Sequence, residues 1–267
     1  MDNEIGRVSD EELLKNLING YLNNHYQISL EDLDNWYGLK YCNYITELMY
    51  NRYEFLDLAN SSAVSHGATL INAKDGFNLD SIDFKPGDIV LDIGANIGVL
   101  SIFLAKKYPF IKIFAYEPIF TSYKCFIRNI SSNNLPDNII YVTRKALTLD
   151  GKNVSMIVNP HNSKDCKVSE TQKEGYIIRA EDRLVESTTL DNIFLENNLG
   201  KVKLMRIDCN GDEHEILKNC SPKTLKKIEN LVGEFYETPE RPDRDNEDLI
   251  KYCKQYIKKL NVISIRK

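Results

Sequence analysis

Asp88-Ile89-Val90-Leu91-Asp92-Ile93 runs directly into Gly94-Ala95-Asn96-Ile97-Gly98, an apolar run that ends in a glycine-bearing turn. A short, nearly continuous apolar run is expected of a strand buried on both faces of a parallel sheet. A helical stretch follows at Gly98–Lys107, then a strand at Ile111–Tyr116, a helix at Thr121–Asn133 and a strand at Asn138–Thr143. This β-α-β-α-β alternation predicts a doubly wound, mostly parallel α/β sheet. The alternation resumes downstream, with helices at Leu190–Asn197, Glu213–Asn219 and Asp248–Lys259. Strands are expected between and after them, at Val202–Ile207, Ile228–Phe235 and Asn261–Ile265.

Three regions depart from that rhythm. The first 60 residues read as a helical cap: Ser9 and Glu12 form a capping box ahead of Leu13, Leu14, Leu17, Ile18 and Tyr21 at helical spacing. Tyr21–Tyr53 holds seven of the fifteen tyrosines and the single tryptophan, Trp36. Residues 61–87 read as a connecting segment, with turn signals at His66-Gly67, Asp75-Gly76 and Pro86-Gly87. Residues 151–187 read as an inserted hairpin or flap, with strands at Val154–Val158 and Tyr176–Arg179 around the polar stretch Asn159–Gly175. Residues 88–267 then form the main domain.

Composition narrows the function. The 267 residues are 42% hydrophobic and 27% charged, enough for a full core, and the net charge is −5. A nucleic-acid partner calls for a basic surplus or stripe, which the sequence lacks. No apolar run reaches the roughly 18 residues of a membrane span, and the acidic amino end is unlike a signal peptide. The six cysteines stand singly, as free thiols do rather than a disulfide framework or a zinc site. The expectation is a cytoplasmic protein.

The chemistry is expected at the carboxyl ends of the strands. Gly94 allows a tight turn and Gly98 a close helix; Asn96 breaks the G-x-G-x-x-G dinucleotide fingerprint. Glu117-Pro118 follows the second strand, 19 residues past Gly98, where a carboxylate can accept hydrogen bonds from both ribose hydroxyls of a nucleoside. Asp92, at a buried strand end, needs a partner, and a cationic sulfonium would serve. A ribose-binding acid, an acid near the turn and no phosphate loop together suggest S-adenosylmethionine, held by Asp92, Gly94, Ala95, Asn96, Gly98, Glu117 and Pro118.

VLDIGANIGVLSIFLAK, FAYEP, IRNISSNNL and then TTLDNIF, KVKLMRIDCNGDEHEIL and LVGEF resemble the FkbM family of S-adenosylmethionine-dependent methyltransferases over roughly 88–236. The resemblance implies a class I Rossmann-like methyltransferase fold and O-methylation of a sugar, polyketide or other natural-product hydroxyl. One departure stands out: the family's D-x-E-G-x-E is here Asp208-Cys209-Asn210-Gly211-Asp212-Glu213, with Asn210 replacing an acid.

Asp208 and Glu234 end neighbouring strands on the same sheet edge as Asp92 and Glu117. Such a pair suits a general base or a hard divalent cation such as Mg²⁺, the arrangement to which metal-dependent sugar and catechol O-methyltransferases are similar. His214, six residues past Asp208, is the expected catalytic base with Asp208; His66 and His161 are weaker candidates, and His25 falls in the amino-terminal helix. Arg241 and Arg244, in ETPERPDRDNED, are expected to clamp a diphosphate. The expected reaction is methyl transfer to a sugar hydroxyl, on a nucleotide-activated sugar for surface polysaccharide. Polyketide, lipid, amine or carboxylate acceptors, a non-catalytic partner subunit and a homo-oligomer stay open.

Overall fold

The computed structural model describes residues 41–48, 51–58, 61–72, 76–159, 166–168, 183–237 and 244–266. The elements, in chain order, begin with β1 (Tyr41–Leu48), β2 (Asn51–Leu58), α1 (Ala63–Asn72), β3 (Ile89–Ile93), α2 (Val99–Lys107), β4 (Lys112–Tyr116), α3 (Phe120–Ser132) and β5 (Ile140–Thr143). Four short strands follow, β6 (Ala146–Leu147), β7 (Met156–Val158), β8 (Cys166–Val168) and β9 (Ser187–Thr188). The remainder is α4 (Leu190–Glu196), β10 (Val202–Ile207), α5 (Glu213–Asn219), α6 (Pro222–Leu225), β11 (Ile228–Glu237), α7 (Asn246–Cys253) and β12 (Lys259–Arg266).

Six strands form one sheet in the order β12-β11-β10-β3-β4-β5, and every pairing is parallel. The chain winds outward from β3 in one direction, then returns to the other side of it at β10. That reversal opens a crevice beyond the carboxyl ends of β3 and β10, where open α/β sheets bind ligands. β3 is central, and its side chains alternate between two cores: Val90 joins one, while Leu91 and Ile93 join the other.

Helix α2 has no polar face. Ile102, Phe103, Leu104 and Ala105 are all fully buried, so a further layer must cover the side turned away from the sheet. α1 and the β1–β2 hairpin supply it, with the Tyr53 and Phe103 rings 6.1 Å apart. Two asparagines one turn apart, Asn129 on α3 and Asn133 at its C-cap, fasten the hairpin. Asn129 accepts from the Leu56 amide (2.7 Å) and donates to Leu56 O (3.2 Å) and Ile97 O (3.0 Å). Asn133 donates to Glu54 O at 2.7 Å.

Residues 41–48 and 51–58, inside the stretch expected to be helical, thus pair as antiparallel strands in register from Tyr41↔Leu58 to Leu48↔Asn51. Within the expected connecting segment, α1 runs through the His66-Gly67 turn signal. Gly67 sits inside that helix because a Cβ there would meet Val99 Cγ1 at 2.8 Å, so its lack of a side chain lets α1 lie against α2. In the expected flap, β7 and β8 pair antiparallel. The Ser9–Tyr21 helix, Trp36, His25, His161 and the Tyr176–Arg179 strand lie outside the described residues.

Candidate active site

At the crevice, the loop after β3 and the loop after β10 approach within backbone contact. Gly94 has φ +74°, and a Cβ on it would stand 2.0 Å from Asp208 O, so no other residue fits. The Gly94 and Ala95 amides both donate to Tyr116 O at 3.0 Å, which ties this loop to the end of β4. Gly98 is the N-cap of α2. Glu117, nearly buried beside Pro118, accepts from the Asn96 amide through Oε2 and from the Ile119 amide through Oε1, each at 2.8 Å. Asn96 is left-handed (φ +53°), and its buried Oδ1 has no hydrogen-bond partner among the described residues.

Glu117, Pro118 and Gly94–Asn96 all line one cavity, together with His66, Lys145, Arg206, Asp208, Asn210 and Asp212. Leu70, Leu100, Met156 and Val168 provide apolar wall. A carboxylate suited to ribose hydroxyls, an orphaned acceptor and glycine-thin backbone fit an adenosine-bearing cofactor.

Asp92 is buried, as expected, but its cation belongs to the protein. Arg206, opposite Asp92 in the β10–β3 register, places Nη1 3.3 Å from Asp92 Oδ1, and Ser101 Oγ donates to Asp92 Oδ2 at 2.6 Å. Asp92 therefore has its partner without a cofactor sulfonium. The same guanidinium donates to Gly94 O and, through Nη2, to Asp208 Oδ2 at 2.8 Å. Burial acts to lower the Arg206 pKa, and the charges of Asp208, Asp92 and Glu234 outweigh it, holding the side chain cationic. Sequence reasoning passed over Arg206. The available signal was a cation inside the apolar strand VKLMRI, which needs buried acids as much as Asp92 needs a cation.

The Asp208–Glu213 segment is a turn built on Glu213. That fully buried carboxylate accepts from the Cys209 amide at 2.6 Å and the Gly211 amide at 3.1 Å. Burial, then the charge of Asp208, pushes its pKa up to about 8. Asn210 occupies the left-handed region (φ +54°), where asparagine is favoured over glutamate, a physical reason for the departure from the family pattern.

Glu234, also buried, accepts from Tyr236 Oη (3.2 Å) and lies 2.7 Å from His66 Nε2. The expected Asp208–Glu234 cation site does not fit a divalent ion. Arg206 puts a positive charge against Asp208 and near Glu234, and the described residues contain no group of three or more His, Cys, Asp or Glu able to hold a metal. His214 also departs from expectation. It is buried between α5 and α7, with Nε2 3.3 Å from Asn246 Oδ1, and is not among the cavity-lining residues; burial lowers its pKa. Arg244 is no phosphate clamp: it is buried and bonds Gly211 O and Glu215, bracing the Asn210 turn from behind. Arg241 lies outside the described residues.

Residues 92–260 match the family model described as the methyltransferase FkbM domain. The chain belongs to the FkbM methyltransferase family. It is an S-adenosylmethionine-dependent methyltransferase by that membership. Among curated proteins it is similar to methyltransferase sdnD of Sordaria araneosa, 24% identical over 192 residues, covering 59% of this chain and 70% of that one. It is also similar to methyltransferase 1 of Beauveria bassiana, 21% identical over 170 residues, covering 58% and 68%. Among solved structures, the SAM-dependent methyltransferase from Agrobacterium tumefaciens aligns at TM-score 0.35 and 11% identity, covering 69% of this chain and 47% of that one. The T. thermophilus 16S rRNA N2 G1207 methyltransferase RsmC, in complex with AdoMet and guanosine, aligns at TM-score 0.31 and 17% identity over 39% and 28%. The chain thus spans less than half the length of either solved structure. No helix among the described residues is long and apolar enough to cross a membrane.

Proposed function

We propose that this FkbM methyltransferase methylates a hydroxyl oxygen of a small polar acceptor, a sugar foremost. Asp208, Asn210 and Asp212 line the same cavity as Glu117 and the glycine loop. Carboxylates and an amide spaced along one turn match the vicinal hydroxyls of a sugar, each able to bond one or two of them.

S-Adenosylmethionine supplies an activated methyl group on a sulfonium sulfur. The chain's part is to hold the adenosine ribose at Glu117, to bring thin backbone close at Gly94, and to align the acceptor oxygen. Leu100 and Met156 give the same cavity apolar wall. For a nucleotide-linked sugar, Lys145 replaces Arg244 as the group we assign to the diphosphate, since it lines the cavity outside the Arg206 cluster.

Incubation with S-[methyl-¹³C]adenosylmethionine and a panel of free and nucleotide-linked hexoses tests the reading, because the ¹³C shift reports the atom that receives the methyl. A methoxy signal on a hexose is expected. Transfer to nitrogen, sulfur or a carboxylate, or turnover confined to lipid or polyketide acceptors, overturns it.

A further inference from the structure

Asp208 lines the cavity but its carboxylate is paired with the Arg206 guanidinium, which disfavours its taking a proton, and His214 is turned toward Asn246, outside the cavity lining. Glu117 is committed to two loop amides, and the Tyr116 hydroxyl, whose pKa burial raises, to Asn197. One cavity-lining group has the geometry of a base. His66 projects from α1 with its imidazole partly exposed, and its Nε2 meets the 2%-exposed Glu234 at 2.7 Å. Tyr236 holds the same carboxylate oxygen at 3.2 Å, so the acid is fixed before the histidine meets it. The packing of Gly67 against Val99 sets α1, and with it His66, on the domain.

We propose that His66 is the catalytic base of the transfer and Glu234 its positioning residue, an inference that rests on the acceptor atom being a hydroxyl oxygen. A carboxylate at Nε2 selects the tautomer with hydrogen on that nitrogen, leaving the lone pair on Nδ1 to receive the proton. The acceptor O–H gives its proton to Nδ1 as the oxygen forms its bond to the methyl carbon. The carbon–sulfur bond breaks with its electron pair kept by sulfur. The imidazolium so formed is stabilised by the Glu234 carboxylate, and the partly exposed ring returns the proton to solvent. The base comes from a helix that precedes the family-matched residues 92–260, so the segment ahead of the common domain completes the site.

The test combines His66→Ala, His66→Asn and Glu234→Gln with the hexose panel and S-adenosylhomocysteine formation. Loss of the base should lower kcat about 10²–10⁴-fold with S-adenosylmethionine affinity nearly unchanged, and added imidazole should restore part of the His66→Ala rate. Glu234→Gln should lower kcat less, with KM retained. Wild-type turnover in His66→Ala, with a methyl ether as product, overturns the base assignment alone. Methyl found on nitrogen or sulfur overturns the hydroxyl reading instead. A second readout needs no acceptor: ¹⁵N NMR of the neutral His66 ring should show the Nε2–H tautomer, and the Nδ1–H tautomer would overturn the proposal.

Discussion

Arg206 and Asp92 face each other in register across β10 and β3, Nη1 standing 3.3 Å from Oδ1. A buried acid and a buried cation on adjacent strands satisfy each other, and the guanidinium extends the pairing to Asp208. Arg206→Met should therefore leave two buried carboxylates without their cation and destabilise the fold by about 3–5 kcal/mol. Arg206→Lys should cost less, keeping the charge but losing the fork. Urea denaturation measures both, and wild-type stability in Arg206→Met would contradict the pairing.

The Asn129 side chain fastens β2 to α3 through both backbone groups of Leu56, and to the glycine loop through Ile97 O. Asn129→Ala should cost about 2–3 kcal/mol, because buried backbone groups lose their partners. Hydrogen exchange at the Leu56 amide should accelerate far more than at β10 amides. Uniform exchange across the domain would count against a local fastening.

Glu213 gives the fold a pH dependence above the acid range. Between its ordinary value of 4.5 and its raised value of about 8, the folded chain keeps a proton that the unfolded chain releases. Its contribution to stability is therefore full below the lower value and declines as pH rises through the upper one. Glu213→Gln should remove that decline. Unfolding midpoints from about pH 5 to about pH 8 should fall in the wild type relative to the variant; parallel curves would refute it.

Lys145 separates linked from free sugars. Lys145→Ala should raise KM for a nucleotide-linked hexose well beyond that for the free hexose, with kcat little changed. Equal effects on both would remove Lys145 from diphosphate recognition.

The sheet was legible because parallel strands announce themselves: VKLMRI and the EHEILKN helix occupy Val202–Ile207 and Glu213–Asn219, the residues expected. The first hairpin was not, because a two-stranded ribbon lying over a helix has no long apolar run, and its tyrosines and leucines resemble a helical stripe. The helical setting of His66 is hidden in the sequence for a related reason. His66-Gly67 looks like a turn until Val99 is seen to need the glycine's space. The acids at the strand ends were visible, but not their partners. Arg206, Asn246 and Glu215 meet Asp208, His214 and Arg244 only after the chain has folded, and they redirect three of the expected roles.

The cavity's assignment to the cofactor rests on Glu117. Calorimetric titration of the wild type and Glu117→Ala with S-adenosylhomocysteine tests it most directly. Loss of a charge-assisted ribose contact should weaken binding by about 1.5–3 kcal/mol, roughly 10- to 150-fold, with the circular dichroism spectrum of the fold retained. An unchanged dissociation constant in a folded Glu117→Ala protein would contradict the assignment.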